Sequence, residues 1–323
     1  DDSATAVDAG PVDAGPPQLT ELEPNESAEK ALVIDRTSVV EATMGADPQK
    51  PDEDWYALKA ALPRTVDLQV RAPMGGDVAV EVIDATKTVL ASVNAAGPGA
   101  AERVPNLDVS GTVLVRVVTM KKGVGGAYTL TAIFRERQPG FELEPNDRRV
   151  DATQVQLGQA VSGFIAHPGD VDLFRFELPT PAEEVPVAVE DAGDVDAGEP
   201  VDAGMPVDAG AGPELKTALR VDVSAVEGVS FDLQLLTEAE AVLFQAKSRE
   251  SSGLSLRNVG VRQSDRVLYV AVRSAPVSAA KDAKKGFNVD RSYTLTVVPE
   301  EAGATAEYEP NDELGKATDL PPN

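Results

Sequence analysis

Apolar and polar residues alternate with a period of two along eight runs of this chain: residues 66–70, 78–82, 113–117, 128–132, 219–223, 231–235, 268–272 and 293–297. Successive side chains of a strand point to opposite faces, so these runs predict strands with one buried and one wet face, the habit of antiparallel sheets. Gly, Pro and Asn separate the runs at short intervals, which predicts β-sandwiches. Helix is scarce, and residues 27–33 supply one turn at most. The expected fold class is all-β: two tandem jelly-roll-like antiparallel β-sandwich domains with acidic disordered linkers.

The tandem arrangement follows from the registration of the two halves. Glu21-Leu22-Glu23-Pro24-Asn25-Glu26 returns as Glu142-Leu143-Glu144-Pro145-Asn146-Asp147, and again as Glu307-Tyr308-Glu309-Pro310-Asn311-Asp312. Behind the first copy comes Asp52-Glu53-Asp54-Trp55-Tyr56, and behind the second Asp170-Val171-Asp172-Leu173-Phe174. Each half closes on a Tyr-Thr-Leu-Thr run, at Tyr128 and at Tyr293. A repeated motif implies a repeated unit. The expected boundaries are a tether at 1–19, a first sandwich at 20–137, a second at 138–300, and a truncated third unit or tail at 301–323.

Asp-Ala-Gly units with Val and Pro dominate residues 1–17 and return at 181–213, inside the second half. Small residues, Pro and like charge cannot bury enough apolar surface to order themselves, so both tracts are expected to be extended and self-repelling. They contribute to a net charge of −25, from 29 Lys+Arg against 54 Asp+Glu. A field of that sign repels nucleic acid and anionic membranes and attracts cations. No run of about 18 apolar residues is present to span a bilayer as a helix. Absent cysteines exclude thiolate chemistry, and His167 in a turn-like stretch is the only histidine. The abrupt start at Asp1 is expected of an exported protein after loss of its targeting segment.

Each motif is dense in oxygen ligands without sulfur or imidazole, which suits a hard cation such as calcium. In an extended segment residues i and i+2 face the same way, so Glu21 converges with Glu23, and Asp52 with Asp54. Like charges held that close repel, and a bound divalent ion relieves the repulsion. Pro at the fourth position fixes φ and keeps its predecessor extended. The alternative is that these acids cap turns and face solvent.

The ordered set of Glu-x-Glu-Pro-Asn-Asp/Glu, a small-apolar segment, Gly, Asp-x-Asp with aromatics and a closing Tyr-x-Leu strand resembles the bacterial pre-peptidase C-terminal (PPC) domain family. It covers most of residues 20–135 and 141–299, with the start of a third copy. The resemblance implies a jelly-roll-like sandwich of secreted bacterial proteins, with calcium binding in some members and protein or polysaccharide binding in others. Matched residue by residue, it implies calcium ligands Glu21, Glu23, Asn25, Glu26, Asp52 and Asp54 in the first unit. In the second it implies Glu142, Glu144, Asn146, Asp147, Asp170 and Asp172. Glu26 is one methylene longer than the usual Asp. The leader resembles the tethers of myxobacterial surface lipoproteins.

A glycosidase pair of carboxylates is the competing chemistry. Duplication of the motif with its scaffold favours a structural metal instead. Trp55 could stack a sugar, but Leu173 stands at the matching position, so core or near-core packing is expected. Lys121 and Lys122, and Lys281, Lys284 and Lys285, make the loop before each closing strand cationic, a candidate contact for an acidic polymer or an ordinary solvated loop. The sequence therefore predicts an exported, non-enzymatic, calcium-binding protein that is a binding or adhesion module for polysaccharide or extracellular protein at the bacterial envelope. A lipid anchor upstream of Asp1 is part of that expectation. The alternatives are a structural subunit docking a larger assembly, or an accessory region of a secreted peptidase.

Overall fold

The computed structural model describes residues 15–47, 49, 52–179, 216–262, 264–276, 286–300 and 308. The acidic tracts apart from residues 15–17, with the disorder expected of them, and the third motif except Tyr308 lie outside these residues.

The first half builds strands β1 (Gln18–Thr20), β2 (Leu32–Ile34), β3 (Ser38–Met44), β4 (Glu53–Arg71), β5 (Val78–Ile83), β6 (Val89–Val93), β7 (Ala101–Thr119) and β8 (Gly126–Glu136). They follow the order β1-β3-β8-β4-β7-β5-β6, with β2 beside β4. The second half builds β9 (Thr153–Gln154), β10 (Ala160–Ile165), β11 (Val171–Glu177), β12 (Lys216–Val223), β13 (Phe231–Thr237), β14 (Val242–Lys247), β15 (Leu254–Arg262), β16 (Val267–Ser274) and β17 (Asn288–Glu300). Two sheets, β10-β17-β12-β15 and β14-β13-β16-β11-β9, make this half. Apart from β9, the interleaved orders are those of an eight-stranded jelly roll, so the all-β sandwich class holds.

Two departures from the sequence pattern carry meaning. Strands β4 and β7 are each 19 residues long, where short strands are expected. Their pairing shifts register between Ala60 and Arg64, around Pro63 and opposite Gly111 with φ 90°. Beyond that bend β4 also gains β8 as a neighbour. In the second half the matching strands are separate, β11 and β12 on one side, β15 and β16 on the other. The acidic tract 181–213 thus enters the chain at the position of the β4 bend, between β11 and β12. The second departure is parallel pairing of β1 with β3, β2 with β4, and β9 with β11. These short strands flank the motif, which runs from one layer's edge to the other's. The expected helical turn appears as a short 3-10 turn at Ala28–Lys30.

Inward residues of the alternating runs pack into two separate clusters, one around Tyr56, Leu58, Val115 and Leu130, the other around Phe174, Phe231, Val270 and Leu295. Trp55 is near the core rather than in it, covered on the outer face by the Arg116 guanidinium at 5.2 Å. In the second cluster the Phe231 ring meets Tyr293 edge-on at 5.6 Å and holds that ring in place. Removal of a fully buried phenylalanine leaves a cavity. Phe231→Ala is expected to destabilise the second sandwich by about 3–5 kcal/mol, read as a lowered denaturant midpoint.

Candidate metal centre

In the second half the motif lies between β10 and β11. Phe141 bridges Ser162 in parallel, and beyond the motif β9 joins β11. The Glu144–Pro145 peptide is cis, as is Glu23–Pro24 in the first half. Extended backbone aims Glu142 and Glu144 the same way, and β11 aims Asp172 inward to meet them. All three are buried, and their ligand atoms lie within 4.8 Å of one another.

The hydrogen bonds around these three carboxylates share one form. Glu142 Oε1 accepts the Phe164 N–H at 2.6 Å, Glu144 Oε2 the Asn146 N–H at 3.2 Å, and Asp172 Oδ2 the Tyr293 hydroxyl at 2.5 Å. The remaining oxygen of each, Glu142 Oε2, Glu144 Oε1 and Asp172 Oδ1, is buried with no hydrogen-bond partner among the described residues. A buried carboxylate oxygen without a donor carries the full cost of desolvation, so three converging ones make a place for a positive charge. Burial pushes the Glu142, Glu144 and Asp172 carboxyls well above their usual range, and neighbouring acids push in the same direction. Asp170 rises to about 7 and Asp147 to about 6, again chiefly through burial.

The other expected ligands of this half act as straps. Asp170 Oδ2 accepts the Ala166 N–H at 2.5 Å and Asp147 Oδ1 the Val171 N–H at 3.0 Å. Asn146 Oδ1 takes the Leu173 N–H at 3.3 Å, and its Nδ2 stands near Glu142 without hydrogen-bond geometry. Within each Asp-x-Asp it is the second acid that joins the carboxylate cluster. His167 Nδ1 accepts the Gly169 N–H at 3.2 Å and serves its own turn.

The first half repeats the scheme with changes. Glu21, Glu23 and Asp54 come together, but Glu23 is exposed. Both oxygens of Glu21 are hydrogen-bonded: Oε2 to the Thr43 N–H at 3.0 Å, Oε1 to Asn25 Nδ2 at 2.5 Å and the Tyr56 hydroxyl at 2.9 Å. Tyr56 meets Tyr128 at 2.5 Å, and Tyr128 reaches Asp54 Oδ2 at 2.6 Å. Tyr128 thus donates to Asp54 and Tyr56 to Glu21, and burial pushes the Asp54 carboxyl up to about 8 against the lowering effect of the Tyr128 hydroxyl. Asp54 Oδ1 and Asn25 Oδ1 remain unpartnered. Asp52 accepts the Gly45 N–H at 2.6 Å, and half-buried Glu26 stands outside the cluster.

The tyrosine hydroxyls belong to both centres, although no sequence argument above assigns them there. The shared Tyr of the two closing strands is the available signal, and its hydroxyl holds Asp54 or Asp172. Lys121 and Lys122 lie exposed after β7, Lys121 near the Gly75 carbonyl at 3.3 Å. Lys281, Lys284 and Lys285 lie outside the described residues.

The second motif also touches the first sandwich. Asn106, a left-handed residue of β7 with φ 50°, offers its carbonyl to the Glu144 N–H at 3.0 Å. The Glu144 carbonyl takes the Asp108 N–H at 2.7 Å, closing a parallel bridge between Leu107 and Glu144. Arg137, in the segment between the sandwiches, adds an ion pair to Asp108, and Arg103 pairs with Asp290 across the joint. Glu144 therefore belongs at once to the carboxylate cluster and to the joint.

No family model matches the chain, and no curated protein does. Among solved structures it is similar to the pre-peptidase C-terminal domain of collagenase from Bacillus anthracis, with a TM-score of 0.28 and 10% identity over 47% of this chain and 99% of that one. An insecticidal delta-endotoxin from Bacillus thuringiensis gives 0.26 and 9%, over 74% of this chain and 43% of that one. The PBSX exported protein XepA gives 0.20 and 12%, over 80% and 84%. Likenesses this distant assign no function.

Proposed function

We propose that this chain is an exported, non-catalytic β-sandwich protein that binds calcium at its motif centres and acts as a binding or adhesion module for polysaccharide or extracellular protein at the bacterial envelope. The observation that carries the metal reading is the trio of buried, partnerless oxygens on Glu142, Glu144 and Asp172. An all-oxygen, multiply anionic donor set is the chemistry of a hard divalent ion. Glu142, Glu144 and Asp172 would hold it, with Asp170, Asp147 and Asn146 keeping the surrounding loops in place. A bound ion would neutralise charge that the fold otherwise holds as acid. The envelope role rests on the strongly acidic composition and on the resemblance to exported domains.

A second reading, a structural subunit that sets spacing in a larger assembly, is favoured by one observation. The Glu144 backbone pairs with Asn106 and Asp108, so an ion at the second centre would stiffen the joint between the sandwiches. Both readings share the same first test, calorimetric titration of the full chain with calcium, alongside melting in calcium and in chelator. Saturable binding that raises the melting temperature and is lost from one site in Glu142→Gln/Asp172→Asn is the expected result. Identical heats and identical melting curves in every condition would overturn the calcium reading.

A further inference from the structure

The two centres share their motif but differ at two positions that bear on the same carboxylate. Strand register identifies both. Gly163 of β10 stands opposite Tyr293, and Ala42 of β3 stands opposite Tyr128. Two residues beyond the second Asp of each Asp-x-Asp, the first half has Tyr56 and the second Phe174.

Each difference acts on the first Glu of the motif. A Cβ at Gly163 would overlap Glu142 Oε2, well inside 3.0 Å, so the free oxygen of that carboxylate occupies the space that a missing side chain leaves. In the first centre Ala42 carries that Cβ, and Glu21 cannot sit as Glu142 does. Phe174 offers no donor, whereas the Tyr56 hydroxyl donates to Glu21 Oε1 at 2.9 Å. Glu142 keeps an oxygen without a partner, and Glu21 keeps none. The Asn amide also bonds Glu21 Oε1, but Asn stands at that position in both motifs, so the tyrosine is the difference that the sequence encodes. Glu23 adds to the contrast, being exposed where Glu144 is buried.

We propose that the two centres are unequal cation sites: the second takes a divalent ion at least about tenfold more tightly, and Tyr56 is the residue that weakens the first by capping Glu21 with its hydroxyl. The Tyr56–Tyr128 pair links Glu21 to Asp54 through hydroxyl hydrogen bonds, whereas in the second centre the Tyr293 hydroxyl bonds Asp172 and Phe174 brings no hydroxyl to Glu142. This inference rests on the calcium reading above and assigns different roles to the duplicated motifs. The second closes the joint between sandwiches on demand of the cation, and the first holds its segment without one.

The test is calorimetric titration of the full chain with calcium chloride alone, on wild type, Glu142→Gln, Glu21→Gln, Tyr56→Phe and Phe174→Tyr, with melting curves to show that each variant folds. Wild type is expected to show two binding events separated by at least about tenfold, or one event only, with the tight event lost in Glu142→Gln. Tyr56→Phe should tighten the weak event at least about fivefold, or create it, and Phe174→Tyr should weaken the tight event by a similar factor. Two events of equal affinity in wild type would overturn the proposal while leaving the calcium reading intact. So would loss of the tight event in Glu21→Gln in place of Glu142→Gln, or an unchanged weak event in Tyr56→Phe. Absence of binding in all variants would overturn both. Should Tyr56→Phe fail to fold, the ordering in wild type and Glu142→Gln still decides the outcome.

Discussion

In chelator, the melting temperature of the second sandwich is expected to fall as pH rises from about 5 to about 8, and saturating calcium is expected to remove or reverse that slope. The sign follows from the direction in which folding moves the acids. Folding raises the carboxyls of Glu142, Glu144, Asp147, Asp170 and Asp172, so between the ordinary carboxylate range and the raised values the folded state holds protons that the unfolded chain has released. Stability that depends on those protons is present at low pH and is lost as pH climbs. For Asp147 and Asp170 the window closes near 6 and 7, and for the other acids it extends further up. A tenfold difference in proton affinity between the folded and unfolded states corresponds to about 1.4 kcal/mol, and about 1 kcal/mol moves the midpoint of a domain this size by about 2–4 °C. A loss of about 3 kcal/mol across the window would therefore show as a drop of about 6–12 °C. Calcium inverts the dependence because it binds the deprotonated acids and competes with protons. A flat melting temperature in chelator over the same range would show that the acids ionise in place without cost, and the cluster would then lose its claim on a cation.

That expectation draws on features the sequence showed unevenly. Alternation located the strands that carry the centres, since Tyr128, Leu130 and Ala132, like Tyr293, Leu295 and Val297, have only one face to bury. The i, i+2 rule paired Glu21 with Glu23, which do stand together with Asp54, but it also paired Asp52 with Asp54, and Asp52 lies outside that group. It could not tell which acid of Asp170-Val171-Asp172 joins Glu142 and Glu144, because that depends on the register of β11 against β16, fixed by contacts about a hundred residues away. The Tyr293 hydroxyl bonds Asp172 across 121 residues, and no local pattern reports a partner at that separation. The length of β4 was hidden for a related reason. The alternating run at 66–70 is local, and only pairing with β7 on both sides of the bend makes residues 53–71 one strand. The chemistry of the joint, a left-handed Asn106 presenting its carbonyl to Glu144, was not legible either.

Gly163→Ala is expected to abolish cation binding at the second centre and to destabilise the second sandwich by about 2–4 kcal/mol, the larger of the two effects being on binding. The Cβ introduced there would fall well inside 3.0 Å of Glu142 Oε2, Tyr293 Oη and Tyr293 Cζ, far short of van der Waals contact with any of them. Neither neighbour has room to give way. Tyr293 is fully buried, edge-on to Phe174 at 6.4 Å and to Phe231 at 5.6 Å, and its hydroxyl is tied to Asp172. Glu142 is held by the Phe164 N–H one residue along the same strand. Whichever moves, one carboxylate leaves the cluster: directly in the case of Glu142, or through the lost Tyr293 hydrogen bond in the case of Asp172. The reciprocal position supplies the control. Ala42→Gly in the first centre removes a Cβ that is already accommodated, costs only about 0.5–1 kcal/mol of backbone freedom, and should leave the second centre's calcium heat unchanged. Calorimetry and melting of the two variants side by side check both statements. Wild-type calcium binding in a folded Gly163→Ala protein would show that the ion does not use Glu142 Oε2, and the ligand set would have to be drawn without it.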